Sequence, residues 1–174
     1  MKFICATLLL LCHSPSDYLD YDYQKKFTQE ITDCALSHNS SIYPYHRIPI
    51  TIVQAQAIQE SNWGRSRFAV EGNNFFGMKE FDLTKPHIKA KLKPNASWGL
   101  RKYKTMCDSV KDYMDLLSTS YNYKDFQELL LTQWFANEVD LHELVDTLYN
   151  YAENPNYTKE IKNLITKLVG NTNG

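Results

Sequence analysis

The sequence lacks an excess of either charge, and it has little glycine or proline. Lysine and arginine number 19 and aspartate and glutamate 20, which gives a formal net charge of −1. No basic field therefore favours nucleic acid or an anionic membrane surface as a partner. Six glycines and six prolines among 174 residues, with 43% hydrophobic and 22% charged residues, exclude a collagen-like or disordered chain. The length suits one domain with its own core, expected to be a monomer.

The sequence also lacks the short motifs of several enzyme classes. The histidines are scattered and form no His-Glu-x-x-His pair, so we predict no metal site and no cofactor. Neither a Gly-x-Ser-x-Gly elbow nor a phosphate-cradling Gly-x-x-x-x-Gly-Lys loop is present. A cysteine peptidase would need Cys34 or Cys107 as a nucleophile paired with His142, but neither cysteine lies in a recognisable motif. Ester, nucleotide and peptide hydrolases therefore have little support.

The only long apolar run lies at the N-terminus, where Met1-Lys2 precedes the segment 3–12. A charged start followed by a short apolar stretch is typical of a secretory signal. The run is about 10 residues long, whereas a membrane-spanning helix needs roughly 20. We predict a signal peptide over 1–16, cleaved near Ser16, and a single exported domain over 17–174 without a membrane span. The export could be to the periplasm, the cell envelope or the medium.

Two features of the leader leave alternatives open. The sequence Leu-Leu-Leu-Cys at 9–12 is a poor version of a lipoprotein signal, so lipid attachment at Cys12 is one alternative, and a buried N-terminal helix or strand is another. Removal of the leader would leave Cys34 and Cys107 as the cysteines of the mature chain. They form either one disulfide or two separate thiols, and the sequence alone supports both.

Apolar residues at helical spacing predict a mostly helical domain. The expected helices lie near 27–35, from 50 to 63, around 110–117 and 126–134, from a capping box at Asp140 and Glu143, and from a cap at Asn154 to Gly170. We expect a loop over 37–49. Glycine, proline and lysine dominate 72–104, where we expect loops and a small irregular hairpin that forms one wall of a cleft.

Glu60 is anomalous because it lies on the apolar stripe of the second helix, roughly 20° from Val53 when each residue turns about 100°. Burial and the negative end of the helix dipole both raise the pKa of a carboxyl group. A raised pKa is what a general acid needs near neutral pH. The structural alternative is that Glu60 only pairs with Arg65 or Arg67.

The residues around Glu60 form an extended motif. Residues 56–66 read Gln-Ala-Ile-Gln-Glu-Ser-Asn-Trp-Gly-Arg-Ser, and 72–79 read Gly-Asn-Asn-Phe-Phe-Gly-Met-Lys. Further elements follow at 100–103, 108–113 and 151–157. The pattern resembles the glucosaminidases of glycoside hydrolase family 73, the lysozyme-like group that includes the flagellar peptidoglycan hydrolase and Bax-related proteins. The resemblance extends from about Ile48 to Leu168.

This resemblance implies a mainly α, lysozyme-like α+β fold, with a helical lobe and a small β-hairpin lobe flanking a glycan cleft. It also implies an endo-β-N-acetylglucosaminidase that cleaves β-1,4 bonds on the reducing side of N-acetylglucosamine in peptidoglycan strands, with Glu60 as the acid. A lytic transglycosylase or muramidase is the alternative among enzymes. A catalytically inactive peptidoglycan-binding protein is the alternative outside them.

The second carboxylate that glycoside hydrolysis usually needs is less well defined. Glu80 and Asp82 are the candidates, because 84–103 contains no acidic residue. Without such a partner, the acetamido group of the substrate would attack the anomeric carbon. The resemblance implies that Tyr151 would then orient that group or stabilise developing charge, while its structural alternative is a core ring with its hydroxyl satisfied.

The remaining motif residues are predicted to bind sugar. Asn73 and Asn74 would bond sugar groups or, alternatively, only form a turn. The rings of Phe75, Phe76, Trp63 and Trp98 would offer flat faces, with interlobe packing as the alternative for Trp63. Gly77 completes this segment.

Overall fold

The structure, a computed structural model, describes residues 15–91 and 93–170. Its helices are α1 (Pro15–Ser40), α2 (Ile50–Ser61), α3 (Arg67–Gly72), α4 (Met106–Thr119), α5 (Lys124–Ala136), α6 (Leu141–Asp146) and α7 (Tyr157–Gly170), and single 3-10 turns cover Pro44–His46 and Tyr121–Tyr123. The predicted leader lies outside the described residues except for its last two, which begin α1. In the described part of the chain, no helix is long and apolar enough to cross a membrane.

Three short strands form the only sheet of the described residues. They are β1 (Lys79–Glu80), β2 (His87–Ile88) and β3 (Gly99–Arg101), and both outer strands pair antiparallel with β3. In the central strand, Leu100 lies opposite Lys79 of β1 on one side and Ile88 of β2 on the other. The predicted mainly α fold with a small β-containing lobe is confirmed, with a three-stranded sheet in place of a hairpin.

Helix α2 runs through the middle of the core. It packs against α1 and α7, and apolar residues on most of its surface are buried: Ile52, Val53, Ala55, Ala57 and Ile58. Burial on several faces also encloses polar side chains, and both Gln56 and Ser61 have no exposed surface. Because a buried polar group needs a partner, these side chains must be hydrogen-bonded within the core.

Helix α1 is much longer than predicted. Its buried face of Phe27, Ile31, Cys34 and Ala35 is the expected one, but the helix continues to Ser40 through residues predicted to form a loop. Pairs four residues apart, such as Gln24 with Asp20 and Gln29 with Asp33, support its polar part. Apolar spacing marks only the stretch of a helix that touches the core, so the ends went unrecognised.

Cys34 of α1 and Cys107 of α4 form a disulfide, with their Cα atoms 4.8 Å apart. The sequence left this pairing open, and the packing of α1 against α4 decides it. The bridge closes a separation of 73 residues. It therefore ties the N-terminal helix to the far half of the chain.

Helix α2 ends at Ser61, two residues earlier than predicted, because Asn62 and Trp63 adopt left-handed backbone angles. Gly64 follows with φ +74° and lies so close to the ring of Phe27 that a Cβ would be 2.8 Å from it. A left-handed backbone and such a close approach both require glycine. The chain turns here into α3, a short helix that the sequence analysis missed and that Ser66 caps by accepting a hydrogen bond from the Ala69 amide.

Capping explains the other differences at helix ends. Asp140 caps α6 as predicted, but the Glu143 side chain accepts a hydrogen bond from Gln133 instead of completing a capping box. The complete box lies at the start of α4, formed by Thr105 and Asp108. Helix α7 ends at Gly170 as predicted and begins only at Tyr157, because the preceding residues form a turn.

Candidate active site

Glu60 lies on the last turn of α2, half-buried at the end of a helix that is otherwise deep in the core. Burial raises the pKa of its carboxyl group, and a hydrogen bond with Tyr157 opposes part of that rise. The proposed pairing with nearby arginines does not occur. Arg65 pairs with Asp20, and Arg67 with Glu71.

A chain of buried hydrogen bonds positions Glu60. The Tyr113 hydroxyl donates to Oε1 of Gln56, and Nε2 of Gln56 donates to the Tyr157 hydroxyl oxygen at 2.8 Å. With that oxygen accepting from Gln56, the Tyr157 hydrogen is available for the Glu60 carboxylate. The amide of Gln56 thereby fixes the direction of the bond to Glu60.

Neither Gln56 nor Tyr157 was among the predicted site residues. Both lie in matched motif segments, and Gln56 precedes Glu60 by one helical turn. A glutamine on the same apolar stripe as Glu60, one turn before it, was the signal available in the sequence. Its partner, Tyr157, is 101 residues away in sequence, and only the packing of α7 against α2 brings the two together.

Two further tyrosines join the two that take part in these hydrogen bonds in one cluster of rings. We call the four together the tyrosine wall: Tyr113, Tyr123, Tyr151 and Tyr157. Burial raises the pKa of all four hydroxyls, and the nearby Glu60 charge raises each further. Tyr151 is the central ring of the wall, because it contacts each of the other three with ring centroids 5.5 to 6.1 Å apart. The wall gives Glu60 a poorly hydrated side on which a neutral carboxylic acid is favoured.

Tyr151, predicted to act in catalysis, donates its hydroxyl to the Phe76 carbonyl oxygen at 2.9 Å. The bond joins the tyrosine wall to the loop that carries Gly77. Gly77 is exposed, has φ +67°, and would place a Cβ 3.5 Å from Oε2 of Glu60. The predicted residues Glu60, Tyr151 and Gly77 are therefore brought together at one place.

Phe75 and Phe76 do not offer their rings to a ligand. They are 6% and 2% exposed, Phe76 stacks on Tyr113 at 4.1 Å, and Phe75 packs against Phe27. The expectation that their flat faces contact sugar is corrected, because the core occupies those faces.

The two tryptophans of the prediction are half-buried. Trp63 meets Phe27 edge-on with centroids 6.3 Å apart, which agrees with the packing alternative. Trp98 lies in the sheet region under the Lys79 ammonium group, 4.9 Å from the ring centroid.

Asn73 and Asn74 hold the motif loop in place. The Asn73 amide donates to the carbonyl oxygens of Tyr103 and Lys104, and that of Asn74 donates to Met78 and Arg101. Oδ1 of Asn74 also accepts from the Met78 amide. These bonds to the backbone agree with the alternative in which the two asparagines only form a turn. Their contact with sugar stays a prediction.

The two candidate carboxylates differ in their surroundings. Glu80 is 8% exposed, and its Oε2 lies 3.5 Å from Nε of Arg101, which also binds Asp112. Asp82 is exposed, and hydrogen bonds from Thr84 lower its pKa. The polar cleft that Glu80 lines also contains Tyr103, whose hydroxyl donates to Asp112.

A family model described as glucosaminidase, mannosyl-glycoprotein endo-beta-N-acetylglucosaminidase, matches residues 41–169. The chain belongs to the glucosaminidase family. By family it is a glycoside hydrolase. In the described residues, no group of three or more histidine, cysteine or acidic side chains could hold a metal ion.

Relatives of this glucosaminidase include exo-glucosaminidase LytG of Bacillus subtilis, which is 29% identical over 148 residues, or 80% of this chain and 51% of LytG. The chain thus spans about half the length of that relative. The catalytic domain of the autolysin Auto from Listeria monocytogenes superimposes with a TM-score of 0.61 at 20% identity, covering 89% of this chain and 94% of that domain. A glycoside hydrolase domain of FlgJ from Salmonella typhimurium gives 0.58 at 20%, covering 84% and 98%. These superpositions show a shared fold.

Proposed function

We propose that this glucosaminidase is an exported endo-enzyme that cleaves the β-1,4 bond on the reducing side of N-acetylglucosamine in peptidoglycan. Glu60 is the general acid in this proposal. The observation that carries it is the half-buried carboxyl group of Glu60, held by Tyr157 and facing the exposed Gly77 loop. Family membership supports the substrate class, and the geometry supports the role of Glu60.

In the proposed reaction, the protonated Glu60 gives its proton to the glycosidic oxygen while the bond from that oxygen to the anomeric carbon breaks. The leaving sugar departs as an alcohol, and Glu60 becomes a carboxylate. The Tyr157 hydroxyl stabilises that carboxylate through its hydrogen bond. A second carboxylate takes a proton from the water that adds to the anomeric carbon, and exchange with solvent then returns a proton to Glu60.

We propose Glu80 over Asp82 as the second carboxylate. Glu80 lies on β1, a fixed element of the sheet lobe, and Arg101 supplies a positive charge beside it. Glu80 accepts one hydrogen bond, from the Asp82 backbone amide, whereas Asp82 accepts two, from the backbone amide and the hydroxyl of Thr84. Because those bonds lower its pKa, Asp82 would be a weak base.

Glu80→Gln should therefore lower the rate of wall cleavage by about 10²-fold, the lower end of the range for a group that transfers protons. Asp82→Asn, the matched control, should stay within about threefold of the wild type, since a solvent-exposed carboxylate is removed. The rates are measured on purified sacculi, with thermal unfolding of each variant recorded. If both variants cleave at nearly the wild-type rate, the substrate acetamido group, oriented by Tyr151, takes the role instead.

Tyr157→Phe should move the pH profile of cleavage. The hydrogen bond from Tyr157 lowers the pKa of Glu60, so its removal raises that pKa further. A general acid works only while protonated, and the rate falls as pH rises through its pKa. The alkaline limb should therefore shift to higher pH, while Tyr43→Phe, a change at an exposed ring, leaves it in place. A shift to lower pH would contradict the assigned donor.

The export part of the proposal rests on the charged and apolar start of the chain and on the Cys34–Cys107 disulfide. Disulfides persist in oxidising compartments such as the periplasm and the extracellular space. Cleavage near Ser16, or lipid attachment at Cys12, would be read from the N-terminal mass of the mature protein. A mature monomeric domain over 17–174 completes the proposal.

The experiment that tests the function is mass spectrometry of the muropeptides that the mature protein releases from purified sacculi. Products that end in reducing N-acetylglucosamine support the proposal, and internal fragments of several disaccharides support endo cleavage over the exo mode named for LytG. Reducing N-acetylmuramic acid would indicate a muramidase, and anhydro-sugar ends a transglycosylase. Binding to sacculi without any release would indicate a wall-binding protein.

A further inference from the structure

A pocket of about 360 Å³ lies beside the tyrosine wall and belongs to no predicted site. The 3-10 turn Tyr121–Tyr123 and the start of α5 form one side, and the turn before Tyr151 forms the other. Its lining consists of Tyr121, Asn122, Lys124, Asp125, Tyr149 and Asn150. The rings of Tyr121 and Tyr149 are 84% and 58% exposed.

Two backbone segments link the pocket to the residues around Glu60. On each side, an exposed tyrosine of the pocket is followed two residues later by a tyrosine of the wall: Tyr121 by Tyr123, and Tyr149 by Tyr151. The rings of Tyr123 and Tyr151 contact each other at 6.1 Å, and the charge of Glu60 acts on both hydroxyls. The same two backbone segments thus present one pair of rings to Glu60 and the other pair to solvent.

The chemistry of the lining fits a sugar. Tyrosine rings combine an apolar face with a polar edge, and side-chain amides can both donate to and accept from hydroxyl and acetamido groups. Asn122 and Asn150 place such amides on opposite sides of the pocket. The Tyr149 hydroxyl donates to Asp125 at 3.3 Å, which joins the two sides.

The charges disfavour an anionic peptide. Lys124 is the only cation of the lining, and its ammonium group pairs with Glu128 at 3.2 Å. Asp125 adds a negative charge. A stem peptide with free carboxylates would therefore meet little attraction, whereas an uncharged N-acetylated sugar would meet none of these costs.

We propose that this pocket is a glycan subsite that binds an N-acetylated amino sugar of the same strand that Glu60 cleaves, beyond the bond that is broken. The proposal rests on the proposed function for the location of the cleft. Its consequence is a preference for long strands, because a short fragment seated at Glu60 would not reach the pocket.

The test measures binding, with Glu60→Gln in every protein so that nothing is cleaved. Uncharged β-1,4-linked oligomers of N-acetylglucosamine, two and six sugars long, are titrated by calorimetry into the parent and into a variant with Tyr121→Ala and Tyr149→Ala. The double variant should bind the six-sugar strand about tenfold more weakly, a loss of about 1.4 kcal/mol, and the two-sugar fragment unchanged. Tyr43→Ala, which removes a ring that is 69% exposed, is the control and should change neither affinity.

Equal affinity of parent and double variant for the six-sugar strand would overturn the subsite. So would a loss confined to isolated stem peptide, added as a third probe, because the pocket would then be a peptide site. The proposed function is judged separately by muropeptide release from sacculi. A wild type that releases the expected products while the parent binds no six-sugar strand would leave the function standing and remove the subsite.

Discussion

Glu60→Gln should fold like the wild type and cleave peptidoglycan about 10³-fold more slowly, within the range that general acids contribute. Glutamine keeps the shape of the side chain and an oxygen that accepts the Tyr157 hydrogen bond, but it carries no proton to give. Release of reducing ends from sacculi is the measurement. The matched control is Glu71→Gln, which removes an exposed carboxylate paired with Arg67.

The pH dependence of wild-type activity is a second test of Glu60 as the general acid. Burial raises the pKa of Glu60 above the ordinary value of 4.5, so the acid stays protonated to higher pH than an exposed glutamate would. Activity should fall as pH rises through that raised pKa. An alkaline limb at the ordinary value would contradict a buried acid.

The raised pKa of Glu60 also makes the stability of the fold depend on pH. A carboxyl group whose pKa is raised by folding stabilises the native state while protonated, and that contribution is lost as pH rises through the folded pKa. Above the folded pKa the buried charge of Glu60 is therefore a cost, which Glu60→Gln removes. The variant should unfold no earlier than the wild type, so lost activity in a variant of lowered stability would not support the assignment.

The sequence predicted the helical architecture and the anomalous Glu60 because both are local. A helix that touches the core leaves a periodic stripe, and a carboxylate on such a stripe stands out within one turn. The hydrogen bonds that position Glu60 come from Tyr113 and Tyr157, on helices far away in the chain. No periodicity of α2 could reveal them.

The predicted sugar-binding rings show the limit of a motif as a guide. The motif contains Phe75 and Phe76, whose flat faces were expected to contact sugar. Both are buried. The exposed rings include Tyr121 and Tyr149, in a stretch with no glycan-binding motif that the sequence analysis recognised, so exposure could be learned only from the fold.

Replacing Cys34 and Cys107 together by serine should lower the free energy of unfolding by about 4 kcal/mol, the chain-entropy value for a loop of roughly this length. The separation of 73 residues is what makes the effect large. For a domain of this size, the loss corresponds to a melting temperature lower by roughly 10 °C. Urea unfolding of the oxidised wild type and the double variant measures it.

Reductant supplies the matched control, because it should shift the midpoint of the wild type and leave that of the double variant unchanged. Activity should follow stability, since Phe27 of α1 packs against Trp63 and Phe75 at the edge of the motif. Two results would contradict the disulfide. One is a wild-type urea midpoint that does not change with reductant, and the other is two free thiols in unfolded but unreduced protein. In that case the packing of α1 alone would have to hold this helix against α4, and the support that the disulfide gives to export would disappear.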